Sequence, residues 1–199
     1  MATVKMRPAV AVSALALACL FRSEAASADA LQPSDVALKP DCDFLVFRTE
    51  GGTTSVVKTY ALRGDGQFTV SLSAYASATP ELLLTGQLSD GEVSQTVEAL
   101  FSSNLYEYDR ADLLRRHRLE PNPGVAVEDV GSMQVEIHLP LLPGSDAAGR
   151  KHLDKVFGVD FSDMYRGHYP SIREYAALRE ILGRFEQFEV RRKRTGASR

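Results

Sequence analysis

The chain lacks an apolar run long enough to cross a membrane: its main one covers residues 8–21, whereas a spanning helix needs about 20 apolar residues. The run has the layout of an export signal instead. Lys5 and Arg7 make the start of the chain basic, and residues 26–30 contain two overlapping small-x-small cleavage patterns, Ala-Ser-Ala and Ala-Asp-Ala. We therefore predict a signal peptide over residues 1–30 and a secreted or periplasmic protein.

Two other interpretations of this segment stay open. Residues 17–19, Leu-Ala-Cys, resemble the signal at which bacterial lipoproteins are cut and lipidated, which would attach Cys19 to a membrane. Ala16 stands where that signal prefers leucine. The third interpretation is an uncleaved anchor or an organelle presequence, against which Glu24 counts, because transit peptides are poor in acidic residues.

Cysteine is scarce, and this excludes a disulfide framework. Only Cys42 follows the predicted signal, so the mature chain cannot form an intrachain disulfide. A single thiol in an oxidising compartment is either buried and inert or free for an intermolecular bond. Asp41 and Asp43 flank Cys42 and disfavour its thiolate, so we predict an inert thiol.

An excess of basic residues is also missing. Of the 23 basic and 26 acidic residues, three basic and one acidic lie before residue 29, so cleavage after residue 28 leaves a formal charge of -5. This balance argues against a nucleic-acid partner. The remaining length of about 170 residues suits one domain that needs no metal or disulfide to be stable.

Specific catalytic motifs are absent. The chain has no Gly-x-Ser-x-Gly turn, no His-Glu-x-x-His helix and no context typical of a nucleophilic cysteine, so we predict no enzyme and no cofactor. Its four histidines do not pair at ligand spacing. His117 with Glu120, or Glu136 with His138, would offer two ligands each, whereas a stable site needs three or four, so we predict no metal.

The mature chain does contain clear strand patterns. Residues 133–139 alternate between apolar and polar side chains, which predicts a strand with one wet face. Residues 55–63 and 67–73 flank Gly64-Asp65-Gly66, a turn that suits a hairpin. Further strands are predicted over residues 44–48, 81–88 and 151–159.

Two helices have good start signals. Ser89 and Glu92 have the spacing of a capping box and precede an apolar stripe, and Asn104 is a plausible stop. Ser171 and Glu174 repeat that spacing before the second apolar stripe, Tyr175, Leu178, Ile181, Leu182, Phe185 and Phe188. A weaker helix is predicted over residues 110–119.

This order of elements predicts an α+β fold: an antiparallel sheet of five to six strands with two main amphipathic helices packed on one face. We place a flexible leader at residues 31–42, a single domain at 43–190 and a basic disordered tail at 191–199. Pro33 and Pro40 punctuate the leader.

Two short motifs are explained better by structure than by function. Residues 144–151 approach a phosphate-binding loop, but Arg150 stands where that loop needs its lysine and His152 where it needs a hydroxyl. We interpret the segment as a solvated hairpin loop. Residues 63–65 spell Arg-Gly-Asp, which the turn chemistry of the hairpin accounts for without an adhesive role.

The segment richest in chemically versatile side chains is 160–169, which is predicted to be a loop. Its tyrosines and arginine suit recognition, and its acids and histidine suit acid–base work; packing of the loop by its own aromatics is the third interpretation. We take it as the candidate binding site, and its members are Asp160, Asp163, Tyr165, Arg166, His168 and Tyr169.

Residues 44–188 resemble emfourin-type protease inhibitors and several small bacterial domains of unknown function. The resemblance rests on Gly51-Gly52, on residues 88–92 (Leu-Ser-Asp-Gly-Glu) and on the order of elements. The chain departs from the family in lacking an aromatic residue after Gly52 and in its insertions at 111–129 and 160–169. The resemblance implies a non-enzymatic binding module, and no inhibitory residue can be transferred.

Taken together, these patterns favour a binding or inhibitor-like module whose partner is another exported protein. One alternative is an envelope hydrolase that uses Asp160, Asp163 or His168. The other is a structural lipoprotein, which would meet the membrane only through a lipid on Cys19.

Overall fold

The computed structural model of the chain describes residues 31–51, 56–74, 79–119, 131–161, 164 and 172–196. These belong to one compact unit, Leu31–Arg199. The predicted signal segment therefore lies outside the described residues. No helix within the described ranges is both long enough and apolar enough to span a bilayer.

Six strands form one antiparallel sheet, as the sequence predicts. They are β1 (Asp43–Glu50), β2 (Val56–Arg63), β3 (Gln67–Ala74), β4 (Glu81–Gln87), β5 (Ser132–Pro140) and β6 (His152–Asp160). Their order across the sheet is β4-β3-β2-β1-β5-β6. The first four strands form a meander, and the β5–β6 hairpin adds to it through β1, because β5 pairs with β1 antiparallel. β4 and β6 are the edge strands.

The β2–β3 hairpin shows why glycine occupies its turn. Gly66 has φ +82°, a left-handed conformation, and a Cβ there would come within 2.6 Å of the Leu88 carbonyl oxygen. Gly64 donates its backbone N–H to the Cys42 carbonyl at 3.1 Å. The Arg-Gly-Asp tripeptide is therefore a packed turn.

Three helices accompany the sheet in the described residues: α1 (Asp90–Ser102), α2 (Arg110–Leu119) and α3 (Arg173–Gly196). The predicted capping box at the start of α1 is confirmed, since Ser89 and Glu92 each accept the other's backbone N–H. Asn104, the predicted stop, lies two residues beyond α1 with φ 57°. Ser171, the predicted cap of α3, lies outside the described residues.

The sheet has two faces, because successive strand residues point to opposite sides. We call core face the side on which α1 and α3 pack. Its strand residues are almost fully buried, and they are Leu45, Phe47, Tyr60, Leu62, Phe68, Val70, Met133, Val135, Ile137, Leu139, Leu153, Phe157 and Val159. Phe185 of α3 lies at the centre, with its ring 4.9 Å from that of Phe68. The predicted α+β arrangement is confirmed.

The ends of the unit are more ordered than their composition suggests. In the predicted leader, Leu31 is buried and Val36 forms a β-bridge with Leu141. A Cβ on Gly64 would lie 2.2 Å from the Lys39 carbonyl oxygen, so the leader packs on the hairpin turn. At the other end, α3 continues to Gly196, which makes residues 191–196 of the predicted tail helical.

Candidate functional site

Of the six residues in the predicted binding loop, the structure places one. Asp160 is the last residue of β6, is exposed, and lies opposite Ser132 of β5. The next backbone N–H, of Phe161, donates to the Gly131 carbonyl at 3.2 Å. Asp163, Tyr165, Arg166, His168 and Tyr169 lie outside the described residues, so their juxtaposition stays a prediction.

The strand register puts Asp160 on the side of the sheet opposite the core face, because its neighbour Val159 is in the core. We call this side the outer face. Three rows of residues cross it from β4 towards β6. They are Thr85, Thr69, Ala61, Val46, Glu136 and Val156; then Leu82, Ser71, Thr59, Arg48, Gln134 and Gly158; then, from β3, Ser73, Val57, Glu50, Ser132 and Asp160.

The two halves of the outer face present different kinds of side chain. The half made by β2, β3 and β4 presents mainly short hydroxyl and aliphatic side chains, and Leu82 on its edge is 62% exposed. The half made by β1, β5 and β6 presents the charged side chains, with Val156 56% exposed among them. Apart from Val46 and Ala61, the residues of the three rows are exposed or half-buried. Such a surface offers flat apolar contact on one side and charge recognition on the other.

A network of charged side chains occupies the second half. Arg48 forms an ion pair with Glu136 across the β1–β5 junction. His138 lies between two carboxylates: its Nδ1 is 2.9 Å from Asp154 Oδ1 and its Nε2 is 3.8 Å from Glu136 Oε2. Gln134 donates from Nε2 to Glu136 Oε1 at 3.2 Å. The network therefore presents carboxylates that can pair with a cationic side chain of a partner.

The sequence offers possible metal ligands in pairs, whereas a stable site needs three or four. Glu136 and His138 do share a face, and Asp154 joins them. Nevertheless, the described residues hold no group of three or more His, Cys, Asp and Glu side chains placed to bind a metal ion. For the other pair, Glu120 and the His117 side chain lie outside what the structure describes.

A cavity of about 580 Å³ lies beyond the β5 end of the sheet, between the leader and the β5–β6 connection. Its lining includes Gly144, Gly149 and Arg150 from the segment that approaches a phosphate-binding loop. That segment joins two antiparallel strands and no helix follows it, so the structure lacks the strand–loop–helix context of a nucleotide site. The interpretation as a hairpin loop is confirmed.

A second cavity, of about 150 Å³, adjoins the first and is lined in part by Cys42, Phe44 and His138. Cys42 is exposed, so burial does not make its thiol inert. Its Sγ lies 3.7 Å from Oδ1 of Asp41, one of its two acidic neighbours in the sequence.

Sequence reasoning missed the Arg48–Glu136–His138–Asp154 network and both cavities. Alternation in β5 does show that Glu136 and His138 share a face. The partners Arg48 and Asp154 come from other strands, and only the register of the sheet brings them together.

No protein-family model matches the chain, and no curated protein is similar to it in sequence.

Proposed function

We propose that the chain is an exported, non-enzymatic binding module that docks another exported protein on the outer face of its sheet. The observation that carries this proposal is the contrast between the faces. α1 and α3 pack on the core face, whereas the outer face keeps two apolar side chains more than half exposed: Leu82 among short polar side chains and Val156 among charged ones. Exposed apolar residues within a polar surface are typical of interaction sites.

The size of the outer face supports this role. Six strands about 4.8 Å apart and about 20 Å of strand length give a flat area of about 500 Å². A standard interface buries about 800 Å² on each partner and weak or transient ones bury less, so this area suits a transient contact. Its short side chains lose little conformational entropy when a partner covers them.

Selectivity would come from the charged half. Arg48, Glu136, His138 and Asp154 are already held by one another, so a partner meets fixed charges. Asp160 adds a carboxylate at the corner where the predicted binding loop begins. A partner with a basic side chain opposite these carboxylates would be favoured, and electrostatic complementarity acts mainly on specificity and association rate.

The inhibitor-like part of the proposal has separate support. It rests on the resemblance to emfourin-type inhibitors, carried by Gly51-Gly52 and residues 88–92. Within that second motif, Ser89 and Glu92 form the cap of α1, so the motif serves the fold. The resemblance thus supports a binding module and identifies no residue that would inhibit a protease.

Placing a bulky charge on the half of the outer face made by β2, β3 and β4 tests the proposal. We expect Ser71→Arg to abolish recovery of the partner in a cross-linked pull-down from the cell fraction that contains the protein. The matched control is Ser102→Arg at the exposed end of α1, which should retain the partner. Equal recovery with both variants, while both unfold at the wild-type temperature, would exclude the outer face.

The predicted loop is tested separately. We expect replacement of Tyr165, Arg166 or Tyr169 by Ala to weaken capture without unfolding the chain. If the alternative hydrolase is correct, its activity must instead disappear when Asp160, Asp163 and His168 are all replaced. A lipid-modified start at Cys19 in intact mass spectrometry would favour the structural lipoprotein.

A further inference from the structure

The cavity of about 580 Å³ has an apolar interior built by residues that are distant in sequence. Ala37 contributes from the leader, and Pro140, Leu141, Leu142 and Pro143 contribute from the end of β5. Ligand pockets in proteins have volumes of about 300–1,000 Å³ and are mostly apolar with a few placed polar groups. The volume and the lining both fall within this description.

Hydrogen bonds fix the walls of the cavity. Ala37 donates its backbone N–H to the Pro140 carbonyl at 2.8 Å, and Leu142 donates to the Asp35 carbonyl at 2.8 Å. These two bonds flank the bridge between Val36 and Leu141. The leader is thus held to the end of β5 as a short extra strand, so the cavity is formed before any ligand arrives.

The opposite wall is held by one ion pair. Arg150 donates from Nη2 to Asp146 Oδ1 at 3.0 Å and from Nε to Asp146 Oδ2 at 3.1 Å, and its backbone N–H also donates to Oδ2 at 2.7 Å. These hydrogen bonds from Arg150 hold the pKa of the Asp146 carboxyl below its ordinary value. Gly144 and Gly149 turn the chain with φ values of +81° and +71°. The connection is therefore a structured wall.

The ionisable side chains that line the larger cavity are all basic. Lys39, Arg150, Lys151 and His152 line the cavity and no acidic residue does. Asp146 already balances Arg150, whereas Lys39 and Lys151 form no ion pair within the described part of the chain. Two exposed ammonium groups thus stand at the rim of an apolar space. Such a combination favours a ligand with one anionic end and an apolar body.

The smaller cavity extends this space. It shares Lys39, Pro140 and His152 with the larger one and adds Cys42, Asp43, Phe44 and His138. An apolar tail can therefore continue past Pro140 towards Phe44, while an anionic head stays near Lys39 and Lys151. This geometry suits a chain-like ligand.

We propose that these two adjoining cavities bind a small amphiphilic carboxylate, whose head pairs with Lys39 and Lys151 and whose alkyl or aryl body contacts Pro140, Leu141 and Leu142. The larger cavity lies beyond the end of the sheet, and the smaller one meets the outer face at His138. Neither Lys39 nor Lys151 belongs to the outer face, so the proposal does not depend on the protein partner. The site is also distinct from a nucleotide site, because the connection that lines it lacks a following helix.

Octanoate is the probe for this proposal, and 1-octanol, its uncharged analogue, is the control. Both are titrated into the full chain at constant ionic strength, and amide NMR shifts are followed. We expect saturable octanoate binding with the largest shifts at Gly144, Gly149 and Lys151, and weaker binding of octanol. Lys151→Glu should weaken octanoate binding about 10-fold or more, because a charge-assisted contact becomes a repulsive one.

Two variants keep this test decisive. Lys39→Glu changes the other exposed ammonium group and should have a similar effect if Lys151→Glu disturbs the fold. Arg110→Glu on α2 makes the same charge change away from the cavities and should leave binding unaltered. Absence of saturable octanoate binding, equal binding of octanol, or equal weakening by Arg110→Glu would each overturn the proposal.

Discussion

The two faces of the sheet are built by the same strands and yet differ in almost every property. At alternate positions of β1 and β2, Phe47 and Tyr60 are buried beneath α3, whereas their neighbours Arg48 and Thr59 point to the outer face and stay half-buried. Packing between large rings stabilises the core face. The outer face is exposed or half-buried apart from Val46 and Ala61, so we expect most of its residues to contribute less to stability, and the predictions below exploit this difference.

The largest expected loss of stability comes from a substitution on the core face. Phe185 packs its ring against those of Phe47, Tyr60 and Phe68. Phe185→Ala should lower the free energy of unfolding by about 3–5 kcal/mol, because it removes buried surface and leaves a cavity. Urea unfolding measures this change. Thr69→Ala on the outer face is the control and should change it by less than about 0.5 kcal/mol. Similar losses from both would remove the distinction between the faces.

The next effect concerns a charge buried under the edge of the core face. Glu189 of α3 is 5% exposed, and it accepts hydrogen bonds from Lys58 Nζ at 2.5 Å and from the Tyr60 hydroxyl at 3.3 Å. Lys58→Met should lower the free energy of unfolding by about 2 kcal/mol. Breaking a fully buried pair costs about 3–5 kcal/mol, and the loss is smaller here because Lys58 keeps contact with water.

A double-mutant cycle gives the control for that prediction. Adding Glu189→Gln to Lys58→Met should recover part of the loss, since the carboxylate that lacks its partner is then gone. Additive losses would show that the two side chains do not interact in solution.

A smaller effect is expected at the start of α1. Ser89→Ala should lower the free energy of unfolding by about 1 kcal/mol, because the helix loses its cap. Ser102→Ala at the other end of α1 is the matched control and should have little effect. Equal urea midpoints for Ser89→Ala and the wild type would contradict the capping box.

The same cap predicts a pH dependence. The backbone N–H and hydroxyl of Ser89 lower the pKa of Glu92 in the folded state. The stabilisation is therefore present above the unfolded-state pKa of about 4.3 and is lost as pH falls through the folded-state pKa. We expect the difference between the wild type and Glu92→Gln in urea unfolding to shrink as pH is lowered through this window.

The smallest effect is expected at the cavity wall. Asp146→Asn removes the carboxylate that pairs with Arg150. In the wild type, hydrogen bonds from Arg150 lower the pKa of Asp146. We expect faster amide exchange at Gly149 and Arg150 near neutral pH, with little change in the global unfolding free energy. The difference from wild type should vanish below the folded-state pKa of Asp146. Unchanged exchange at neutral pH would contradict a wall held by this pair.

Local signals in the sequence predict much of the fold. Alternation over residues 133–139 predicts β5, the turn at residues 64–66 predicts the β2–β3 hairpin, and Ser89 with Glu92 predicts the start of α1. Each of these is decided by residues within one element, where backbone geometry leaves few options. The strand and helix bounds accordingly agree with the structure to within a few residues.

Contacts between distant segments could not be predicted in this way. Pro33 and Pro40 favour a loose leader, yet the bridge from Val36 to Leu141 holds it against β5. Likewise Glu174, predicted as part of a cap, forms an ion pair with Arg116 of α2 at 2.5 Å. The candidate cavities depend on such pairings, because their walls are 100 residues apart in sequence. Of the six candidate residues in the predicted binding loop, Asp160 alone falls within the described residues.

Site-specific photo-cross-linking tests the central claim, that the outer face receives a protein partner. A photoreactive residue is placed at Thr59 on the outer face, or at Glu186 on the exposed side of α3, and the cell fraction that contains the protein is irradiated. We predict one defined adduct of higher mass from Thr59 and none from Glu186. Adducts of equal yield from both positions, or from Glu186 alone, would contradict the account.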